Sequence, residues 1–189
     1  MGKYTCRACD DSELKSMISL LRNGYTGKDG IVHRPNDQIA DVLVLEANLG
    51  CRLGDILQLK HKDFVCDNGI WKINIIEEKT GKKRTFIVPK PVKKFIDNIH
   101  YGKDDKLFKV GEQAVWKALR QLSAELGLEQ ISSHSLRKKC ANDLYTATNH
   151  DIEAVCSFLN HSSIKVTRRY IRRSDKQLED AINNIVNLM

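Results

Sequence analysis

Ser133-His134-Ser135-Leu136-Arg137-Lys138-Lys139, then Phe158-Leu159-Asn160-His161-Ser162-Ser163-Ile164, then Arg168-Arg169-Tyr170, is the part of this chain that decides its reading. Two histidines, an arginine and a late tyrosine stand among helix formers and basic residues. His134 and Arg137 are three apart at the start of a predicted helix, so they share a face and can address one phosphate. An arginine fork binds two phosphate oxygens and keeps its charge. Histidine moves protons near neutrality. Tyrosine can act as a nucleophile that stores a phosphoester bond for resealing. With an ordinary pKa near 10, only about 0.1% of it is ionised at neutral pH, so it needs a base or strong local positive charge.

Working outward, everything after Gly111 reads as helix, over 112–126, 134–147, 151–159, 163–170 and 175–188. Ahead of it, Ile70–Ile76 and Arg84–Val88 are rich in β-branched and aromatic residues and read as strands. The polar Lys79-Thr80-Gly81-Lys82 between them predicts an antiparallel hairpin. Pro89 and Pro91 end the sheet and open a helix to about Ile99. Asp10-Asp11-Ser12 caps a first amphipathic helix, and a polar loop carrying Gly24, Gly27, Gly30 and Pro35 follows it. Asn36 or Asp37 starts a helix that Gly50 ends, and Arg52–Lys60 reads as a short one. The expected class is mixed, mainly α with a small antiparallel β-sheet, in a single domain over 1–189.

The chain has 189 residues, 41% hydrophobic and 29% charged, which suits one globular domain rather than a disordered chain. No apolar run approaches the length of a membrane span, and the N-terminus lacks the apolar stretch of a secretory signal. A cytoplasmic protein with no membrane partner is the expectation. The net charge is +7. Its distribution says more than its size: Lys79–Lys94 holds seven Lys/Arg and Lys165–Arg173 five, neither with an acid. Each run alone reads equally well as a solvated face; the two together, flanking candidate phosphate chemistry, favour a nucleic-acid backbone. Of the six cysteines only Cys6 and Cys9 have metal-like spacing, and no second pair completes a zinc site. Reduced, mostly buried thiols and no metal are expected.

Four blocks stand in order. Leu49-Gly50-Cys51-Arg52-Leu53-Gly54-Asp55 runs on to Leu59. Glu78-Lys79-Thr80-Gly81-Lys82-Lys83-Arg84 precedes Val88-Pro89. His134-Ser135-Leu136-Arg137 and Leu159-Asn160-His161, with Thr167 and Tyr170, complete the set. Together they resemble the catalytic domain of the tyrosine recombinase (phage-type integrase) family, over about residues 10 to 180. The patterns are T-G-x-R-x-x-E-x-x-x-L, a lysine hairpin, H-x-L-R and L-G-H-x-x-x-x-T-x-x-Y. Asp55 is one methylene shorter than the usual glutamate. Cys51 occupies a variable position, Asn160 stands where glycine is usual, and Lys138-Lys139 stands where His-Thr is common.

The resemblance implies the tyrosine recombinase catalytic-domain fold and site-specific DNA integration or recombination through a covalent 3′-phosphotyrosine, with no metal and no cofactor. Arg52 and Arg137 would clamp the scissile phosphate. Lys79 would protonate the leaving 5′-oxygen, with Lys82 or Lys83 as alternatives in the same hairpin. His134 would assist proton transfer at Tyr170, His161 would hydrogen-bond a non-bridging oxygen, and Tyr170 would be the nucleophile. Asp55 would orient its neighbours. Lys82, Lys83, Arg84, Lys138, Arg168 and Arg169 are expected to meet DNA. The implied partners are double-stranded DNA at attachment-type sites of a mobile element, further copies of the chain forming a tetramer on DNA, and accessory DNA-bending or excision factors. The tail, 175–189, either completes its own core or docks on a neighbouring protomer. The helical core-binding domain that usually precedes this one is expected to be absent, as in a fragment or a short natural form. Weak, salt-sensitive DNA binding by this domain alone is therefore expected. Type IB topoisomerase-like relaxation shares the chemistry, and a non-catalytic DNA-binding module is the alternative of a different class.

Overall fold

The structure, a computed structural model, describes residues 6–171. The expected last helix, Arg172 and Arg173 lie outside the described residues. Helix α1 (Asp11–Asn23) starts as its composition dictates. Asp10 accepts from the Glu13 amide at 2.8 Å, and Glu13 reaches back to the Asp10 amide at 3.0 Å, a reciprocal capping box. The glycine-bearing loop after α1 pairs two short strands, β1 (Tyr25–Thr26) and β2 (Val32–His33). Asn36 caps α2 (Asp37–Leu49) by accepting from the Ile39 amide. Helix α2 is buried nearly all round, with Val42, Leu43, Leu45 and Leu49 wholly enclosed. It is the central helix of the core and packs on α1. Its Glu46 is also fully enclosed, with neither carboxylate oxygen hydrogen-bonded among the described residues. Burial raises that carboxyl well above the usual glutamate range; Arg137 opposes the shift and Glu112 adds to it.

Helix α3 (Leu53–Gln58) follows at once, then a turn of 3-10 helix at His61–Asp63. The expected hairpin is two strands of a three-stranded antiparallel sheet, β3 (Phe64–Asp67), β4 (Ile70–Ile76) and β5 (Lys83–Ile87). Strand β3 is too short to carry a period of its own. Its signal is the turn after it: Asn68 and Gly69 both have positive φ, the geometry an Asn-Gly hairpin turn needs. Phe64, Ile73 and Phe86 align across the sheet, and Ile73 is wholly buried.

Helix α4 (Lys90–Ile96) leads by a long loop to α5 (Glu112–Leu126) and α6 (Ser133–Ala147). Helix α6 packs against α2. Helix α7 (Ile152–Phe158) and the short α8 (Ile164–Thr167) complete the described chain. Helix α8 stops three residues earlier than its composition suggests, and a hydrogen-bonded turn with Tyr170 N–H donating to Thr167 O carries the tyrosine. Ala141, Val155 and Leu159 form a second small core on which Tyr170 and Ile171 pack.

Gly50 ends α2 in the left-handed region, φ 55° and ψ 24°. A Cβ there would lie 3.0 Å from both Cys140 Sγ and Leu159 Cδ2. Gly50→Ala should cost about 1–3 kcal/mol from backbone strain and crowding, measured as a lower urea midpoint at unchanged slope.

Candidate active site

Arg52 sits at the N-terminal boundary of α3 with extended backbone, φ −72° and ψ 153°, which turns its side chain off the helix. It forms a 2.8 Å ion pair with Glu77 Oε2 and lies 3.8 Å from Asp55 Oδ2. Asp55 accepts from the Glu78 amide, so it fixes the start of the β4–β5 loop. Glu77 is itself fully buried. Burial alone would raise its pKa, but hydrogen bonds from Arg52 and Thr80 and the charges of Arg52 and Arg84 more than offset this. The net shift is downward, and Glu77 stays ionised.

Lys79 projects from the same loop into a cleft of about 480 Å³ that Arg52, Glu112, Trp116, Ser133 and His134 also line. Lys82 and Lys83 are exposed but do not line that cleft. His134 occupies the first turn of α6 and opens on the cleft. Its pKa is lowered, first by partial desolvation among protein atoms, then by Arg137, Lys79, Arg52 and Lys138. A neutral His134 is able to accept a proton.

One turn further along α6, Arg137 is entirely enclosed. Its Nη1 donates to Gly50 O at 2.5 Å, and Nη2 donates to Leu159 O at 2.8 Å and faces His161 Nε2 at 3.2 Å. Burial lowers its pKa most; Arg84 adds to this, Tyr170 opposes it, and Arg52 lowers it further. Because arginine only donates, His161 Nε2 must accept, and the proton belongs on Nδ1. Nδ1 then donates to Thr167 Oγ1 at 3.0 Å. Burial, then Arg137, Arg52 and Arg84, bring the His161 pKa down to about 4. The Tyr170 ring lies 4.8 Å from the His161 ring, centroid to centroid, and Lys138 Nζ lies 5.8 Å from the tyrosine centroid. Asn160, where the family resemblance leads one to expect glycine, has φ 54°. Asparagine is among the few side-chain-bearing residues that tolerate this region, so the turn into His161 survives the replacement.

The residues expected to meet DNA divide. Lys82, Lys83, Arg168 and Arg169 are exposed. Lys138 is half-buried and donates to Cys6 O. Arg84 corrects the sequence reading: it is 3% exposed and turned inward, because carbonyls at the ends of two helices and the buried Glu77 claim its donors. Sequence reasoning also missed Glu77. The alternation along β4 carries the signal, since Ile73, Ile75 and Glu77 fall on one face. Among the described residues no three His, Cys, Asp or Glu side chains are grouped as metal ligands. Cys9, near Cys6, is buried, and burial first of all pushes its thiol up to about 12.

The depressed His161 pKa has a sign. An unfolded chain protonates this imidazole near its ordinary 6.5, whereas the folded chain resists until about 4. His161 therefore subtracts stability as pH falls through that window. Histidine NMR should show one ring still neutral at pH 5, its signal absent in His161→Gln; an ordinary midpoint for every ring would contradict the geometry.

The phage integrase family matches residues 33–177. A probable integrase/recombinase of Bacillus subtilis (strain 168), YoeC, is 34% identical over 69% of this chain and 75% of its own length. The tyrosine recombinase XerA of Pyrococcus furiosus is 26% identical, over 93% of this chain and 60% of its own length. Among solved structures, the XerH site-specific recombinase in a post-cleavage complex with its palindromic difH substrate superposes with a TM-score of 0.70 at 22% identity. That match covers 96% of this chain and 53% of the other. The catalytic domain of bacteriophage HP1 integrase gives 0.63 at 18% identity, over 87% of this chain and 86% of that one. The chain thus spans 60% of the length of XerA and 53% of the XerH chain, against 75% of YoeC. No helix among the described residues is long and apolar enough to cross a membrane. With three of the four motif blocks lining one cleft, the fold of a tyrosine recombinase catalytic domain and a family match over most of its length, this chain belongs to the phage integrase family.

Proposed function

We propose that the chain performs the chemical steps of site-specific DNA recombination, cutting and rejoining one strand through a covalent phosphotyrosine. The observation that carries this reading is the convergence of Arg52, Lys79 and His134 on one cleft, with the Arg137–His161–Tyr170 contacts adjoining it. Tyr170 Oη attacks phosphorus, forming a P–O bond to the 3′ side as the bond to the 5′-oxygen breaks. Lys79 delivers a proton to that oxygen. Neutral His134 takes up the phenol proton. Arg52 and Arg137 neutralise charge growing on the non-bridging oxygens. Attack by the freed 5′-hydroxyl of a partner strand reverses these steps and reseals the DNA without an external energy source.

Arg137 is enclosed, with His161 against its Nη2. Phosphate reaches the Arg137 fork when the imidazole swings aside and exchanges its contact with arginine for one with a phosphate oxygen. Exposed Lys82, Lys83, Arg168 and Arg169 supply the surrounding positive field for duplex DNA. Two DNA sites must be held together for strand exchange, which calls for several copies of the chain, a tetramer in the simplest case. Attachment-type sites of a mobile element, with accessory bending or excision factors, complete the proposed setting.

A nicked suicide duplex taken from DNA flanking the coding gene tests the reading. The wild-type chain should give a covalent protein–DNA band on a denaturing gel, and Tyr170→Phe none. His134→Ala should slow its formation by about 10²–10⁴-fold, the usual worth of a positioned general base. Adducts on any duplex regardless of sequence would indicate topoisomerase-like relaxation. Binding with no adduct would indicate a DNA-binding module.

A further inference from the structure

Arg84 stands outside the cleft, yet it is the most extensively tied side chain near it. Its Nε and Nη2 both donate to Phe158 O, at 3.0 and 2.5 Å. Nη2 also donates to Leu49 O at 3.3 Å, and Nη1 to Cys51 Sγ at 3.2 Å and Gly50 O at 3.5 Å. Its guanidinium carbon lies 4.2 Å from the Phe86 ring centre and 5.3 Å from that of Phe158. Nη1 lies 4.0 Å from Glu77 Oε1, and Glu77 Oε2 holds Arg52.

These partners are not scattered. Leu49 is the last residue of α2, and Phe158 is the last of α7. The final carbonyls of a helix lack intrahelical donors and carry the negative end of its dipole. Arg137 bridges the same two ends, to Gly50 O and Leu159 O. Two guanidinium groups thus clamp two helix ends, share the Gly50 carbonyl and take consecutive carbonyls of the other helix. The turn they grip continues through Asn160 to His161. Placing two cations this close in the interior is unfavourable, and the helix-end carbonyls need only donors, which neutral side chains also supply. A tie needed only for packing has no use for that charge.

We infer that Arg84 is a positioning residue for the phosphate-binding groups, setting Arg137 and His161 through the shared helix ends and Arg52 through Glu77. The inference rests on the recombinase reading for its consequence in catalysis, but its geometric part does not. A lysine would keep the charge with a single donor group and no fork. A methionine would keep the volume and lose both.

The test compares wild type with Arg84→Lys and Arg84→Met. Circular dichroism and thermal melting establish that the variants are folded. Fluorescence anisotropy gives affinity for the flanking-DNA duplex. Single-turnover adduct formation is timed on two suicide duplexes, one with an ordinary scissile phosphate and one with a methylphosphonate there, which carries no charge to neutralise. Nitrogen NMR of the DNA-free proteins reads the His161 tautomer. Arg84→Met should bind DNA as wild type does and cleave the ordinary duplex about 100-fold more slowly, the scale of a catalytic group misplaced by about 1 Å. Its deficit should shrink on the methylphosphonate, and Arg84→Lys should fall between. His161 should lose its single Nδ1–H form in Arg84→Met. An equal deficit on both duplexes would mean overall destabilisation and overturn the inference, as would weakened DNA binding with cleavage at saturation intact. If Arg84→Met does not fold, Arg84→Lys decides by the same readouts. If wild type itself forms no adduct, the recombinase reading fails, and the His161 signature alone decides whether Arg84 positions this group.

Discussion

The C-terminal ends of α2 and α7 meet in the interior of this protein, and the carbonyls left over at both ends must find donors there. Water cannot serve freely in so enclosed a place, and a helix end buried without partners would be costly. Arg84 and Arg137 meet the need with forked, permanently charged groups. Gly50 allows the approach, since a side chain there would strike Cys140 and the α7 end. The positions of Arg52, two residues after this glycine, and of His161, three after Phe158, follow from that junction. The proposed phosphate site is in this sense the outward face of a device for ending two helices.

Charge in the site is arranged by position rather than by number. Glu77, buried and ionised, is paired with Arg52 and near Arg84. Burial first, and then the surrounding cations, depress the His134 and His161 imidazoles and keep them neutral at ordinary pH. A neutral His134 accepts a proton where a protonated one does not, so the arginines proposed to address phosphate also help to maintain the proposed proton acceptor. His161 is committed on both nitrogens, to Arg137 and Thr167. That ties the segment bearing Tyr170 to the arginine.

The N-terminal segment is joined to the same helix from the other side. Lys139 pairs with Asp11 and Asp143, and Lys138 donates to Cys6 O while facing the Tyr170 ring. Arg7 pairs with Glu13 and donates to Glu129 O, closing the segment onto the turn between α5 and α6. Helix α6 thus carries His134 and Arg137 on a rod held at several points along its length. Such restraint suits the role proposed for them, meeting one phosphate within fractions of an ångström.

Much of this protein was legible in its order of residues. Helix periodicity, the caps at Asp10 and Asn36 and the glycine after α2 are local signals, and they placed the long helices to within a residue or two. The spacing of Arg52, Lys79, His134, Arg137, His161 and Tyr170 is likewise a property of the chain, and it sufficed to recognise the family. Strand β3 was missed because four residues carry no period, although Asn68-Gly69 marked its turn. Arg84 was misread because a basic run looks the same whether its members face water or the core; only the meeting of α2 and α7 decides which arginine turns inward. Glu77 was overlooked because its importance lies in two arginines it meets only in the fold, Arg52 far before it along the chain and Arg84 across the hairpin. Sequence determined which chemical groups are present and in what local conformation. Tertiary structure decided which of them are buried, and therefore which are paired, because desolvation and long-range packing are properties of the folded chain alone.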